Sequence, residues 1–188
     1  MIGSYDSGRV FRKLAQNNAL ANVRLHSACA KLLVGEFEAE RRSFFPSIKA
    51  TLNHILTIDW FYIDAMEGGT LGPQAWVVEQ PCATVAALQE AQGAVDCRLL
   101  LLTDGLTTER LGSTVAIHRG DRIQQERMDD TLSHLFQHQT HHRGQVHAML
   151  SDTSVRPPQL DEFIVADDAG VRAGEMALLG WSETDLMR

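Results

Sequence analysis

From Phe11 to about Leu33, the residues Phe11, Leu14, Asn18, Ala21, Leu25, Ala28 and Leu32 return every three or four positions. That is the period of one helical face, and Gly35 offers a stop for this first helix. "FFPSIKATLNHILTIDWFYIDAMEGG" predicts a second helix, with Ser47 as N-cap after Pro46 and an end at Gly68-Gly69. After the Pro- and Gly-containing connection "LGPQAWVVEQPCAT", Thr84 caps a predicted third helix running to about Thr103, with Val85, Leu88, Val95, Leu99 and Leu102 as its apolar stripe. The helical period then breaks. Short alternating runs on either side of Arg119-Gly120-Asp121 predict a small hairpin. A fourth helix begins near Asp129 and Asp130, whose charges suit the positive end of its dipole, and ends near Ser151-Asp152. The tail reads as an extended return across the helices with one short helix. Four long helices and little strand predict an all-α four-helix bundle with a small β-hairpin between the third and fourth helices.

Composition narrows the setting. A length of 188 residues with 44% hydrophobic and 22% charged residues fits one globular domain spanning 1–188, with a core that needs no disulfides. No apolar run is long enough to cross a bilayer, and the start lacks a signal-peptide core, so a cytoplasmic location is expected, with no membrane partner. Cys29, Cys82 and Cys97 form no C-x-x-C pair, which fits free thiols in a reducing compartment and argues against a cysteine zinc site. A net charge of -7 argues against direct nucleic-acid binding.

The chemistry is concentrated in "HLFQHQTHHRGQVHAML", which holds five of the chain's eight histidines. Residues four apart on a helix differ by roughly 40° and stack one turn above each other. His138 and His142 therefore lie together, on the side of Thr131, Leu135, Val146 and Met149 that should turn inward. His134 lies at one edge of that stripe, His141 at its margin, and His147 roughly opposite. A two-histidine pair is an incomplete site, since a divalent ion with open chemistry takes three protein ligands. His54 shares a face with Ser47, Ile58, Phe61 and Ala65 and is the third candidate. One ion would satisfy three buried imidazole nitrogens together, where a histidine core would need a separate partner for each. His134 and His141 are read as polar residues around the pocket, and His26, His118 and His147 as surface or interface residues.

Neighbouring residues offer supporting roles. Gln145 lies near the face of His138 and can orient a ligand or substrate. For Arg143 three assignments stay open: a carboxylate inside the bundle, a dimer contact, or an ordinary surface ion pair. Asp64 and Glu67 are candidate bases for a hydrolytic reaction, though no motif places them, and Asp59, roughly 140° from His54 on an ideal helix, is expected to serve structural hydrogen bonding. A di-iron centre would need Glu-x-x-His pairs, which do not occur, and no G-x-S-x-G marks a serine nucleophile.

"LNHILTIDWFYIDAM" followed far downstream by "HLFQHQTHHRGQVHAML" resembles the DinB family, within the DinB/YfiT-like superfamily of metal-dependent enzymes. The resemblance runs from about Phe11 to Leu150, includes "LAQNNALAN" in the first helix, and extends to "LDEF" in the tail. It implies a four-helix bundle of up-down-down-up order, a homodimer, and a divalent metal, commonly zinc or nickel, held by three histidines. Carried over by motif, the ligands are His54 from "LNH", His138 from "HQT" and His142 from "HHRGQ". It further implies a transferase using a low-molecular-weight thiol such as bacillithiol or mycothiol. The alternatives are a metal-dependent hydrolase, or a non-enzymatic, damage-inducible metal-binding protein acting through an apolar dimer surface of Leu52, Leu56, Ile63 and Phe136.

Overall fold

A computed structural model describes residues 6–161 and 165–187 of the chain. Of the tail motif "LDEF", Glu162 and Phe163 lie outside the described residues. The described chain is mostly helical, with one two-stranded antiparallel sheet. Its long helices are α1 (Arg9–Cys29), α2 (Ile48–Met66), α3 (Val85–Asp104) and α5 (Met128–Leu150); α4 (Thr108–Leu111) is a single turn. Both α1 and α2 pack against α3 and against α5, so the core lies where all four meet.

The predicted caps form. The Ser47 hydroxyl accepts from Ala50 N–H at 3.1 Å, and the Thr84 hydroxyl from Ala87 N–H at 3.2 Å, satisfying amides that the helix itself leaves open. The α2 stop falls where predicted, with Gly68 at φ +87°, a conformation side chains disfavour. On α2 the residues Leu52, Ile55, Leu56, Phe61 and Ile63 are essentially solvent-free. Each such burial is worth about 1.5–3 kcal/mol, which holds α2 at the centre of the molecule.

Strands β1 (Thr114–His118) and β2 (Ile123–Arg127) form the expected hairpin, pairing Thr114 with Arg127 through to His118 with Ile123. Val115 and Ile117 alternate inward, and β1 packs on α2 and α5.

Three expectations about the elements change. The first helix stops at Cys29, well before Gly35, because the chain tightens there: Lys31 N–H reaches Ala28 O and Leu32 N–H reaches Cys29 O. That early exit lets Phe37 return to the core, which a continuing helix would prevent. The tail carries two short helices where one was expected, α6 (Ala173–Leu179) and α7 (Glu183–Met187). Met176 and Leu186 pack with Leu20 and Ala21 of α1. Finally, Leu52, Leu56, Ile63 and Phe136, assigned to an outward dimer face, are all buried core residues. They belong to the core of one chain and offer nothing to a second copy.

Candidate metal centre

Helices α2 and α5 run antiparallel where they touch, since His54 lies against His138 and His142 while Tyr62, two turns on, lies against His134. This crossing makes the site. The His54 Nε2 and His138 Nε2 atoms are 3.0 Å apart, and the ligand nitrogens of His54, His138 and His142 all lie within 4.8 Å of one another. Two nitrogens bound tetrahedrally to one ion at about 2.1 Å are about 3.4 Å apart, so small ring rotations bring all three to one ion. Three histidines in this arrangement can hold a metal ion.

Electrostatics favours the form that ligates. Burial, with the neighbouring His142, pushes the His54 pKa down to about 4. Burial, followed by four surrounding histidines, pushes His138 down to about 3. His142 is also lowered, by burial, against a hydrogen bond from Gln145 that raises it. All three imidazoles are therefore neutral at pH 7, with lone pairs available. Among the described residues His138 Nδ1 is buried with no hydrogen-bond partner.

Gln145 sets the proton positions. Its Oε1 lies 2.7 Å from His142 Nδ1 and its Nε2 lies 3.1 Å from His141 Nε2. The amide oxygen accepts the Nδ1–H of His142, which leaves Nε2 of that ring as the ligating atom; the amide N–H donates to His141. Such a partner fixes both tautomer and ring orientation. Gln145→Leu is expected to weaken zinc binding about 10–100-fold while leaving the fold intact, because Gln145 is only half-buried. Chelator competition measures this, and unchanged affinity would remove Gln145 from the site.

A cavity of about 360 Å³ opens beside His54, lined by Phe45, Ile58 and Trp76 among others. The Phe45 ring sits 4.2 Å from that of His54. On the far side, His134 is exposed and stacks edge-on with Tyr62 at 5.1 Å, 6.5 Å from the His138 ring. His141 is exposed and touches the site only through Gln145 and a ring contact with His142.

Several other expectations are resolved. Asp64 accepts from Leu71 N–H in the turn after α2, and Glu67 pairs with Arg98 of α3 at 2.6 Å, so neither serves the histidines. His26, expected at the surface, is buried on α1, with its pKa pushed down to about 4 by burial and then by Arg143. Arg143 is itself buried, which rules out a surface ion pair.

A polar network that the apolar-stripe reading passed over lies inside the four helices. Asp59 of α2 accepts from Gln92 Nε2 of α3 at 2.8 Å and from Gln139 Nε2 of α5 at 2.9 Å. Asp96 of α3 accepts from Gln92, and from Asn18 and Asn22 of α1, at 3.0–3.1 Å. Arg143 donates to the side-chain oxygens of both asparagines. The signal was present as polar pairs four apart on buried faces: Asn18/Asn22, Gln92/Asp96 and Gln139/Arg143. Gln139 and Arg143 directly follow the ligand candidates His138 and His142, so the network fixes the stretch of α5 that presents them.

The DinB family model matches residues 4–174. The chain is also 28% identical over 143 residues, covering 73% of this chain and 83% of the relative, to Protein DinB of Bacillus subtilis (strain 168). The chain belongs to the DinB family.

Proposed function

We propose that the chain is a single DinB-type four-helix-bundle domain, working as a homodimer, in which His54, His138 and His142 hold one divalent cation, zinc or nickel, for an enzymatic reaction. The observation that carries this reading is the convergence of three neutral imidazoles, from two helices, beside an open cavity. A bound divalent ion supplies Lewis acidity and lowers the pKa of a thiol or water that reaches it. The protein's own contribution is to hold the rings neutral by burial, orient His142 through Gln145, and shield one side with Phe45 and Trp76.

Transfer of a low-molecular-weight thiol to an electrophile is the favoured reaction. Hydrolysis needs a base near the ion, and Asp64 and Glu67, the carboxylates considered for it, are engaged elsewhere. The non-enzymatic alternative loses its main support because its dimer face is core. Among the described residues no helix is long and apolar enough to cross a membrane, and the net charge of -7 disfavours direct nucleic-acid binding, so a small-molecule substrate is the partner expected.

The test is conjugation of 1-chloro-2,4-dinitrobenzene to cysteine, glutathione, bacillithiol and mycothiol, with zinc or nickel and after chelation. A carbon–sulfur bond forms, chloride leaves, and the thiol proton passes to water. We expect a metal-dependent rate with at least one thiol that falls about 10²-fold or more in His138→Ala. Rates indifferent to metal with every thiol would count against transfer.

A further inference from the structure

The cavity beside His54 has a chemistry of its own. Its volume of about 360 Å³ suits a small organic molecule. Phe45, Ile58 and Trp76 give it apolar walls, and Glu79 and Gln80 stand at its rim. No lysine or arginine is among the described residues lining it, and the only ionisable group there besides His54 is the Glu79 carboxylate. The apolar walls are anchored: Trp76 packs on Phe61 at 4.8 Å between ring centroids, and Phe45 packs on His54 at 4.2 Å.

The rim is anchored too. Asn53, adjacent to His54 on α2, donates from Nδ2 to Cys82 O at 3.0 Å and accepts Cys82 N–H at 2.9 Å. This two-way bond, made by a fully buried side chain, ties down the segment that carries Glu79 and Gln80. The backbone following Glu79 and Gln80 is therefore tied to α2 at Cys82, which reduces the ordering cost of binding.

We propose that this cavity binds the amine-bearing end of the substrate: an ammonium group on a compact aromatic or branched aliphatic body. The body packs against Phe45, Ile58 and Trp76, and the ammonium meets the Glu79 carboxylate. The walls select for apolar bulk, and the absence of a lining cation leaves nothing to favour a carboxylate or phosphate at this end. Because the cavity reaches His54, a molecule seated there carries its far end toward the histidine cluster. Calling the bound molecule a substrate rests on the metal-enzyme reading above; its selection by charge and shape does not.

An exposed carboxylate contributes modestly, so the expected preference for an amine over the matching alcohol is three- to tenfold. The experiment titrates 2-phenylethylamine and 2-phenylethanol into the protein as purified, following the Trp76 indole N–H by NMR, with Trp76→Phe to assign that signal. We expect the amine to bind three- to tenfold more tightly, and the two affinities to become equal within a factor of two in Glu79→Gln with metal content unchanged. Equal binding in the parent, a preference that survives Glu79→Gln, or binding that leaves Trp76 unshifted would overturn the proposal. Metal content measured on the same samples separates the two readings. An amine preference in a protein that takes up no metal would sink the metal centre alone, and a metal-loaded protein without the preference would sink the cavity assignment alone.

Discussion

Arg143→Met is expected to cost about 3–5 kcal/mol at pH 8, the loss typical of removing one charge from a buried paired set. The methionine keeps most of the apolar stem but removes the guanidinium that Asn18 and Asn22 contact. Those two oxygens lose their donor, and the Asp59 and Asp96 carboxylates lose the Arg143 cation that favours their charge inside the helices. An ordinary surface pair would cost at most about 1 kcal/mol, so the two cases are well separated. Urea unfolding measures the difference directly, and a chain of this size should show a thermal midpoint lower by roughly 6–20 °C. At pH 5 the loss should shrink, because both carboxylates can then take up protons. A loss under 1 kcal/mol at both pH values would refute the buried role of Arg143.

Asp59→Asn should change the pH dependence of stability more than its mean value. Burial first, and then repulsion from Asp96, pushes the Asp59 pKa up to about 7, while its hydrogen bonds from Gln92 and Gln139 pull the other way. The unfolded value is about 3.9. A folded-state pKa raised in this way means that the contribution of Asp59 is fully present below about pH 4 and is lost as pH rises through about 7. The buried histidines act in the opposite sense. His26 and His54 are lowered to about 4 and His138 to about 3, so their contribution is present above about 6.5 and is lost as pH falls toward 4. Subtracting the variant from the parent isolates Asp59. Asparagine cannot ionise, and its amide N–H can donate to the Gln139 carbonyl oxygen, which is buried without a partner, once that amide turns over. The variant should therefore gain on the parent by about 2–4 kcal/mol between pH 4 and pH 8. Parallel pH profiles for the two proteins would show that Asp59 is ionised at both ends of the range.

Much of this was legible in the sequence wherever a local rule decides the outcome. Ser47, Thr84 and Gly68-Gly69 mark helix ends through bonds to neighbours a few residues away, so the caps form where the pattern places them. The 3.6-residue period also sufficed to aim His138 and His142 at the same side as Leu135 and Val146, and to pair them with His54. What failed depended on contacts between distant parts of the chain. The exit after Cys29 is set by where Phe37 packs, and the short tail helices form against Leu20 and Ala21 of α1. Leu52, Leu56, Ile63 and Phe136 read as outward because one stripe was taken as the inner face. A helix packed on two or three neighbours buries most of its circumference, and α2 packs on α3, on α5 and on β1.

The buried network shows the same limit from the polar side. Asn18 had a place in the apolar stripe of α1 by spacing alone, and its partners Asp96 and Arg143 come from other helices. Satisfied buried polar groups specify one arrangement of the helices that carry them. In this chain they hold the stretch of α5 bearing His138 and His142 opposite His54, so the geometry of the histidine cluster depends on residues that never touch it.

The most direct measurement is the metal content of the protein purified without chelator and then loaded with zinc or nickel, combined with X-ray absorption at the metal edge. One ion per chain is expected, with three imidazole nitrogens in its coordination sphere, and its loss in each of His54→Ala, His138→Ala and His142→Ala. A substoichiometric ion, a sphere with fewer than three imidazoles, or full retention of the metal in those three variants would contradict that expectation.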